Sequence, residues 1–567
     1  MMSNEEIKRS SSRRSFLKAG AMAACVQSLS ALAEEADRDP VPLSEGHVAA
    51  VNRRRRIVVQ YDAFSQFDAD FRQWIDYRFH YADEAGSQID SLWWDIGGDP
   101  GTATYPSKVL PAFNYNALDA WREQGIDWVG ELIEQTRQRK LEVFWNHRIS
   151  EVELAPEGGL EMKRMNPTKE ANPDWVIKTW WWQGMWNLAA PGVRSFKINV
   201  LRELAENYEL DGFQLDFARH MPCLPPGRQW ELRGHVTTFV RMVREMLLGV
   251  ACQNGRPILL AARVPRSIKG CRVDGLDIEE WARQNLVDIL TLGSRSVDVD
   301  VEGYRRAIDG RNIKLQPCFD DHHTTDGYRN PSIEAFRGAF ANWWQQGADS
   351  VVTFNWSNAP PEACEKIGAR PGPLSQRQAY YEAGSPETLR WKDKIFFVER
   401  RGGYPWSTGY FNHNRDSPLP LTLANTGRPA RLAIRIADPV HTSAERVDSL
   451  RLRAVLFRRP DRWDVEFKEG DTFEARLNGV RLPSLLRGPA WKDPQIFSPK
   501  PQRISGGSGI FEVDPEQKLL RLEWKVDPRL CRRGENHVEI RISQRAPYRP
   551  GAEIVLEKLE VHLRYAA

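Results

Sequence analysis

From residue 56 to about residue 394 the chain alternates between two periodicities. Short runs of β-branched, aromatic and aliphatic residues recur eight times: IVVQYDAF (57–64), IDSLWWDIGG (89–98), LEVFWNHRISE (141–151), DGFQLDFAR (211–219), PILLAARVP (257–265), DILTLGSR (288–295), NIKLQPCFDD (312–321) and DSVVTFNW (349–356). Between them lie stretches with helical spacing of apolar positions, such as WVGELIEQTRQRK, VRSFKINVLRELAENY, LRGHVTTFVRMVREML, IEEWARQNL, VEGYRRAI and IEAFRGAFANWWQQG. Near-continuous apolar strands separated by amphipathic helices predict a parallel sheet covered by helices. Eight such units over about 340 residues predict an α/β fold, a (β/α)8 TIM barrel with insertions, spanning residues 56–394. After Lys394 the helical period disappears. KIFFVERR, RLAIRIAD, RLRAVLFRR, TFEARLNGVRLP, LLRLEWKV, HVEIRIS and VLEKLEVHLRY alternate polar with apolar residues between Gly, Pro and Asn-Gly turns. That pattern predicts an all-β sandwich, jelly-roll-like, over residues 395–567.

The N-terminus reads as an address. Ser12-Arg13-Arg14-Ser15-Phe16-Leu17-Lys18 precedes a weakly apolar stretch from Ala19 to about Ala33 that ends in Ala31-Leu32-Ala33, a small-x-small cleavage site. It resembles a bacterial twin-arginine signal peptide over residues 1–33, followed by a linker over 34–55. The resemblance implies passage through the twin-arginine translocase and a periplasmic or secreted protein. The first 33 residues hold five basic and two acidic residues, so the remainder carries 74 of each. Nothing in that balance advertises nucleic acid or an anionic membrane surface, and Arg53-Arg54-Arg55-Arg56 reads as a solvated lead-in to the first strand. No later stretch approaches about 18 apolar residues, so no transmembrane segment is expected. The six cysteines beyond the signal are widely spaced and lack a C-x-x-C, which favours reduced, buried thiols and leaves one or two bridges open. The 11 histidines are scattered, and Tyr61-Asp62-Ala63-Phe64 stands where a metal-dependent barrel would carry His-x-His, so no metal or cofactor is expected.

In a (β/α)8 barrel the functional groups gather where the C-terminal ends of the strands converge. Those ends carry Tyr61 and Asp62, Asp95, Asn146 with His147, Arg148 and Glu151, Asp216 with Arg219, Arg263, Arg295, Asp320 with Asp321 and His322, and Asn355 with Trp356. Seven of the eight ends offer a charged group, more than packing alone requires. Of 21 tryptophans 17 fall in the barrel segment, with Trp175, Trp180, Trp181, Trp182 and Trp186 clustered after the third strand. Flat aromatic rings beside carboxylates, amides and guanidinium groups suit a carbohydrate ligand; packing on the barrel flank is the alternative, and Trp343 and Trp344 read as core. Trp406, Trp463, Trp491 and Trp524 are dispersed, so the β domain reads as a brace.

Asp211-Gly212-Phe213-Gln214-Leu215-Asp216-Phe217-Ala218-Arg219 resembles the DG-x-x-x-D-(Y/F)-x-R strand-four motif of the glycosyl-hydrolase-like family-ten barrels. Ala261-Ala262-Arg263-Val264-Pro265 and Gly275-Leu276-Asp277 have the same character. The resemblance covers the barrel and implies a glycosidase fold with a carbohydrate substrate. Glycosidases place two carboxyl groups about the scissile bond. The expected pair is Asp216 as general acid/base and Asp320 or Asp321 as nucleophile or water-activating base, with the roles open to reversal. Asp95 and Glu151 stand in reserve, while Glu280 reads as a helix-capping residue. Substrate contacts are expected from Asp62, Asp95, Asn146, His147, Arg148, Glu151, Trp182, Arg219, Arg263, His322, Asn355 and Trp356. Strand seven offers Asp where clan A glycosidases carry Glu, and strands five and six offer only arginines. Arg148, Arg219, Arg263 and Arg295 around the mouth either bind an acidic sugar, uronate or sulfated, or hold the carboxylates as ion pairs; the second arrangement keeps Asp216 ionised. A Asp216 that only caps the following turn is the structural alternative. A non-catalytic carbohydrate-binding protein on the same barrel is the functional one.

Overall fold

The computed structural model describes residues 38–62, 70–95, 102–113, 116–150, 165–179, 181–293, 296–320, 328, 331–356, 360–368, 372–400, 417–459, 470–494, 496, 517–545 and 553–566. The expected signal peptide (residues 1–33), Glu151, Trp180, Arg295, Asp321, His322, Trp406 and Trp463 lie outside these residues.

Eight parallel strands close into a barrel: β1 (Ile57–Asp62), β2 (Ile89–Asp95), β3 (Glu142–Arg148), β4 (Gly212–Asp216), β5 (Leu259–Val264), β6 (Ile289–Leu292), β7 (Lys314–Asp320) and β8 (Val351–Phe354). Each falls within one of the eight apolar runs, and β8 returns to β1 with Ile57 opposite Val351 and Gln60 opposite Phe354. The strands are apolar on both faces because both are buried. Val58, Trp93, Phe144, Leu259, Ala261, Ile289, Cys318, Val352 and Phe354 fill the interior, while alternate residues such as Val59, Trp94, Trp145 and Leu215 pack under the helices. Bulk is balanced across the interior: Trp93 stacks on Phe144 with ring centroids 4.3 Å apart. Gly212 faces that ring, where a Cβ would lie 2.2 Å from it.

The floor of the barrel is tied by ion pairs. Within the stretch expected to be a linker, Glu45–Val51 forms a helix capped by Ser44, with Val51 buried beneath the barrel. Its His47 meets Asp288 at 3.0 Å, and Arg244 reaches the other oxygen of Asp288 at 2.8 Å. The basic run departs from expectation. Arg55 is buried and holds Glu142, the first residue of β3, through two hydrogen bonds of 2.7 and 2.6 Å. Burial pushes the Asp288 carboxyl up, but Arg244 and His47 outweigh it and hold it at about 2. Its folded value lies below the unfolded one, so the stabilisation of about 2–3 kcal/mol is present above about pH 4 and lost as pH falls towards 2. Urea unfolding followed across that window is therefore expected to show a shallower acid loss in Asp288→Asn than in the wild type.

The C-terminal region forms two antiparallel sheets. The larger contains β9 (Lys394–Phe397), β11 (Val447–Arg459), β13 (Ser484–Trp491), β14 (Leu519–Lys525) and β16 (Glu553–Tyr565) in the order β9-β16-β11-β14-β13, with Leu421–Thr422 also paired to β16. The smaller contains β10 (Ala430–Ile436), β12 (Thr472–Leu477), β15 (Gly534–Gln544) and Val480–Arg481. Leu432, Ile434 and Ile436 of β10, with Val538, Ile540 and Ile542 of β15, alternate with exposed residues and enter the same core as Leu452, Leu456 and Val561 of the larger sheet. The sheets dock on the barrel through the helix Ile333–Gln345, which crosses β9 so closely that a Cβ on Gly338 would lie 1.9 Å from the Ile395 carbonyl oxygen. Gly338→Ala is expected to destabilise the protein by about 2–3 kcal/mol, read as a lowered melting temperature, because backbone on both sides must separate.

Among the described residues no helix is long and apolar enough to cross a membrane. Cys223, Cys271, Cys318, Cys364 and Cys531 are buried free thiols, and Cys252 is an exposed one.

Candidate functional site

Side chains alternate along a strand, so residues two apart share a face. From the interior residues Val58, Trp93, Phe144, Leu259 and Cys318, the inward face runs upward to Gln60 and Asp62, Asp95, Asn146 and Arg148, Ala261 and Arg263, and Asp320. Gln214 and Asp216 rise in the same way above Gly212. The last inward residue of six consecutive or near-consecutive strands is thus charged, and all six meet at one end of the barrel.

The first tie runs across β1, β2 and β3. Arg148 donates Nη2–H to Asp62 at 2.7 Å and Nε–H to Asp95 at 2.6 Å. Asp62 also takes Arg219 at 3.4 Å and the amide of Asn355 at 2.8 Å, while its own backbone N–H donates to Asn355 Oδ1 at 2.9 Å. Asn355 makes this reciprocal contact with φ at 57°, a left-handed backbone that Asn tolerates better than most residues. His220 also sits at positive φ, 58°, donating Nδ1–H to the Ser150 carbonyl at 2.8 Å. Such backbone gathers where the surrounding structure over-determines a site.

The second tie centres on Asp216. Its Oδ1 accepts the backbone N–H groups of Ala218 and Arg219 at 3.0 and 3.1 Å, and its Oδ2 takes Arg263 at 3.2 Å and Asn146 at 3.5 Å. Every partner is a donor, which suits a carboxylate acceptor and not a proton-bearing acid. Asn146 also donates to Asp95 at 2.8 Å, so one amide spans both carboxylates, and its Oδ1 takes Gln214, which reaches on to Gln60. Arg263 lies over the Phe354 ring, 4.2 Å from its centroid, and among the described residues its Nε and Nη2 have no hydrogen-bond partner. The turn-capping arrangement and the ion-paired arrangement are therefore both present in one side chain.

Exposure separates the carboxylates. Asp95, Asp216 and Asp320 are buried, whereas the Asp62 side chain is 20 % exposed. Of the tryptophans after β3, Trp186 is buried, Trp181 packs against Ile177 and Met185, and Trp182 stands 55 % exposed. Trp356 lies in the core, its indole N–H donated to the Phe319 carbonyl and its ring walled by Phe336, Phe340 and Tyr380; the Phe-rich helix claims it for packing. His147 is buried and falls on the outward face of β3 with Val143 and Trp145, a consequence of the same alternation that sends Arg148 inward. Trp343 is buried as expected of a core residue.

One carboxyl escaped sequence reasoning. Glu399, two residues beyond β9, is buried against the barrel and takes Arg266 Nη1–H at 2.7 Å on Oε2. Burial pushes it up to about 7, against the opposing pull of Arg266, with Asp298 adding to the rise and the Ser296 and Ser417 hydroxyls easing it. Its 133-residue separation from Arg266 leaves no local signal. Among the described residues no group of three or more His, Cys, Asp or Glu side chains is placed to hold a metal ion.

A closed eight-stranded parallel barrel with a carboxylate- and guanidinium-lined mouth, joined to antiparallel sheets, defines the class of protein. Residues 61–225 match the family Glycosyl hydrolase-like 10, a segment that contains both ties except Gln60, Arg263 and Asn355. Similar solved structures are glycoside hydrolases with barrel folds. They include alpha-L-fucosidase isoenzyme 2 from Paenibacillus thiaminolyticus (15% identity, TM-score 0.39, 60% of this chain and 51% of that one). The glycoside hydrolase domain of PgaB (BpsB) from Bordetella bronchiseptica matches at 13% identity and TM-score 0.37, over 58% of this chain and 99% of that one. The catalytic domain of psychrophilic chitinase B from Arthrobacter TAD20 matches at 11% identity and TM-score 0.36, over 59% and 97%. The chain thus spans about half the length of the fucosidase. A search of curated proteins finds no match.

Proposed function

We propose that this protein is an exported glycoside hydrolase acting on an oligosaccharide or polysaccharide at the mouth of the barrel. The observation that carries the proposal is the convergence of Asp62, Asp95, Asp216 and Asp320 with Arg148, Arg219 and Arg263 on the inward, C-terminal end of the strands. Asp216, ringed by donors, serves as the anionic carboxylate that meets the positive charge growing on the anomeric carbon; Asp320 at the end of β7, or Asp321 next in sequence, supplies the second carboxyl. Arg148, Arg219 and Arg263 act first as counter-ions of these carboxylates, which favours a neutral sugar over a uronate or sulfated one. Asp62, partly exposed, takes sugar hydroxyls with Asn355 fixing it, and the exposed Trp182 takes a ring face. The matching family and the twin-arginine-like N-terminus agree with hydrolysis outside the cytoplasm.

Burial of Asp95, Asp216 and Asp320 favours the second reading, a non-catalytic carbohydrate-binding barrel in which those groups only brace the mouth. Release of reducing ends from neutral, uronic and sulfated polysaccharides separates the two. Release by the wild type, strongest on neutral glycans, is the expected result; retained glycan binding without release from any of them would establish the binding protein instead.

A further inference from the structure

We propose that Arg263 selects the sugar through its free edge, donating Nε–H and Nη2–H to the hydroxyl next to the anomeric carbon, an inference that rests on the glycosidase reading above. One end of the guanidinium is already used: Nη1–H donates to Asp216 Oδ2 at 3.2 Å. One face lies on the Phe354 ring. The Nε/Nη2 edge is the fork with which Arg55 grips Glu142, yet in Arg263 it is buried and has no partner among the described residues. Charged donors left unmatched away from water are costly, so this edge calls for a partner outside the chain.

Strand register places that edge at the reaction centre. Arg263 pairs with Asp216 across β4 and β5, and the guanidinium is one rigid plane, so its free edge stays within a sugar ring's width of the carboxylate. Both side chains are equally closed off, so a sugar that reaches Asp216 also meets Arg263. One layer below, a chain of amides has a fixed direction. Asp95 accepts from Asn146 Nδ2, which turns Asn146 Oδ1 towards Gln214 Nε2, and that group also donates to Gln60 Oε1. The ends left over are Gln214 Oε1, an acceptor, and Gln60 Nε2, a donor, both buried and unmatched among the described residues. Gln214 pairs with Ala261, two residues before Arg263 on the same inward face.

A free donor edge with a free acceptor beneath it matches a hydroxyl, which accepts and donates, and not a carboxylate, which has no proton to give. Asp216 already balances the Arg263 charge, so the edge needs an oxygen but no counter-charge. The group selected is that of a neutral sugar. As the glycosidic bond breaks, the ring oxygen shares the growing positive charge, so a cation belongs on the other side of the anomeric carbon. That side carries the 2-hydroxyl, whose hydrogen bonds strengthen in the transition state.

The test measures kcat/KM of wild type and Arg263→Lys on 2,4-dinitrophenyl glycosides, both anomers, of glucose, galactose, mannose and xylose and on their 2-deoxy counterparts, each divided by its spontaneous hydrolysis rate. Lysine keeps a cation beside Asp216 but has no second edge, so changes at the ion pair cancel when the two substrates are compared. Removal of the 2-hydroxyl is expected to cost the wild type about 10- to 100-fold, and Arg263→Lys to lose that factor on the parent glycoside beyond its loss on the 2-deoxy one. Equal losses on both substrates would overturn the contact while leaving the glycosidase intact. Activity confined to uronic or sulfated polysaccharides would overturn it too, because the edge would then hold an anion. A wild type silent on every glycoside and every polysaccharide would overturn the glycosidase and this inference together. Should Arg263→Lys fail to fold, the wild type alone decides: equal corrected turnover of parent and 2-deoxy glycosides would mean that the edge holds only water.

Discussion

Asp216→Asn is expected to lower glycan hydrolysis by about 10³-fold or more while the folded protein persists. Asn has nearly the same shape, and its Oδ1 can still accept the Ala218 and Arg219 N–H groups that fix the turn. Its amide nitrogen, however, faces the Arg263 guanidinium donor-to-donor in place of the 3.2 Å ion pair, and the negative charge opposite the anomeric carbon is gone. The two roles of the side chain therefore separate in one substitution. If Asp216 only capped the turn, the variant would lose stability but turn over normally per folded molecule. Reducing-end release normalised to the folded fraction, with melting temperature measured alongside, distinguishes these outcomes. A double-mutant cycle with Arg263→Met isolates the ion pair, since the two groups are in direct contact and their effects should not add.

Arg148→Ala carries the second largest effect, on stability. One guanidinium serves Asp62 at 2.7 Å and Asp95 at 2.6 Å, and Asp95 is buried. Removing the cation takes the ion pair from a buried carboxylate that Asn146 also binds, and breaking a buried pair from one side costs about 3–5 kcal/mol. The expected result is a urea unfolding midpoint shifted strongly downward. Arg148→Lys should recover only part of the loss, because an ammonium is a point charge and cannot hold two carboxylates in the fixed fork that a guanidinium provides. If the arginine instead served an anionic sugar, Arg148→Ala would leave stability near wild type and weaken uronate affinity alone. Stability and uronate binding measured on the same preparation decide between these.

The Trp93–Phe144 stack and the close approach of Gly212 to it follow from residues whose face is readable from alternation, and so do the positions of Asp62, Asp95, Arg148, Asp216, Arg263 and Asp320 at one end of the barrel. Trp356 and His147 show that a strand end presents faces and not a single point. Trp356 lies just beyond β8, where the Phe336 and Phe340 rings take it, and His147 is one residue out of phase with Arg148. Arg55 shows the same limit on the floor of the barrel, since a run of four arginines gives no sign that one of them meets Glu142, 87 residues away.

The amino-acid order by itself determined the eight-fold βα repeat, the change to antiparallel strands after Lys394 and the inward line of charged residues, because these depend on periodicity along a few neighbouring positions. Tertiary structure alone decided which arginine pairs with which carboxylate, which aspartates are closed off from solvent, and that Glu399 of the second domain meets Arg266 just beyond β5. Those outcomes depend on distances between residues far apart in the chain, and a carboxyl takes its protonation state from the charges and burial it meets in space, not from its neighbours in sequence.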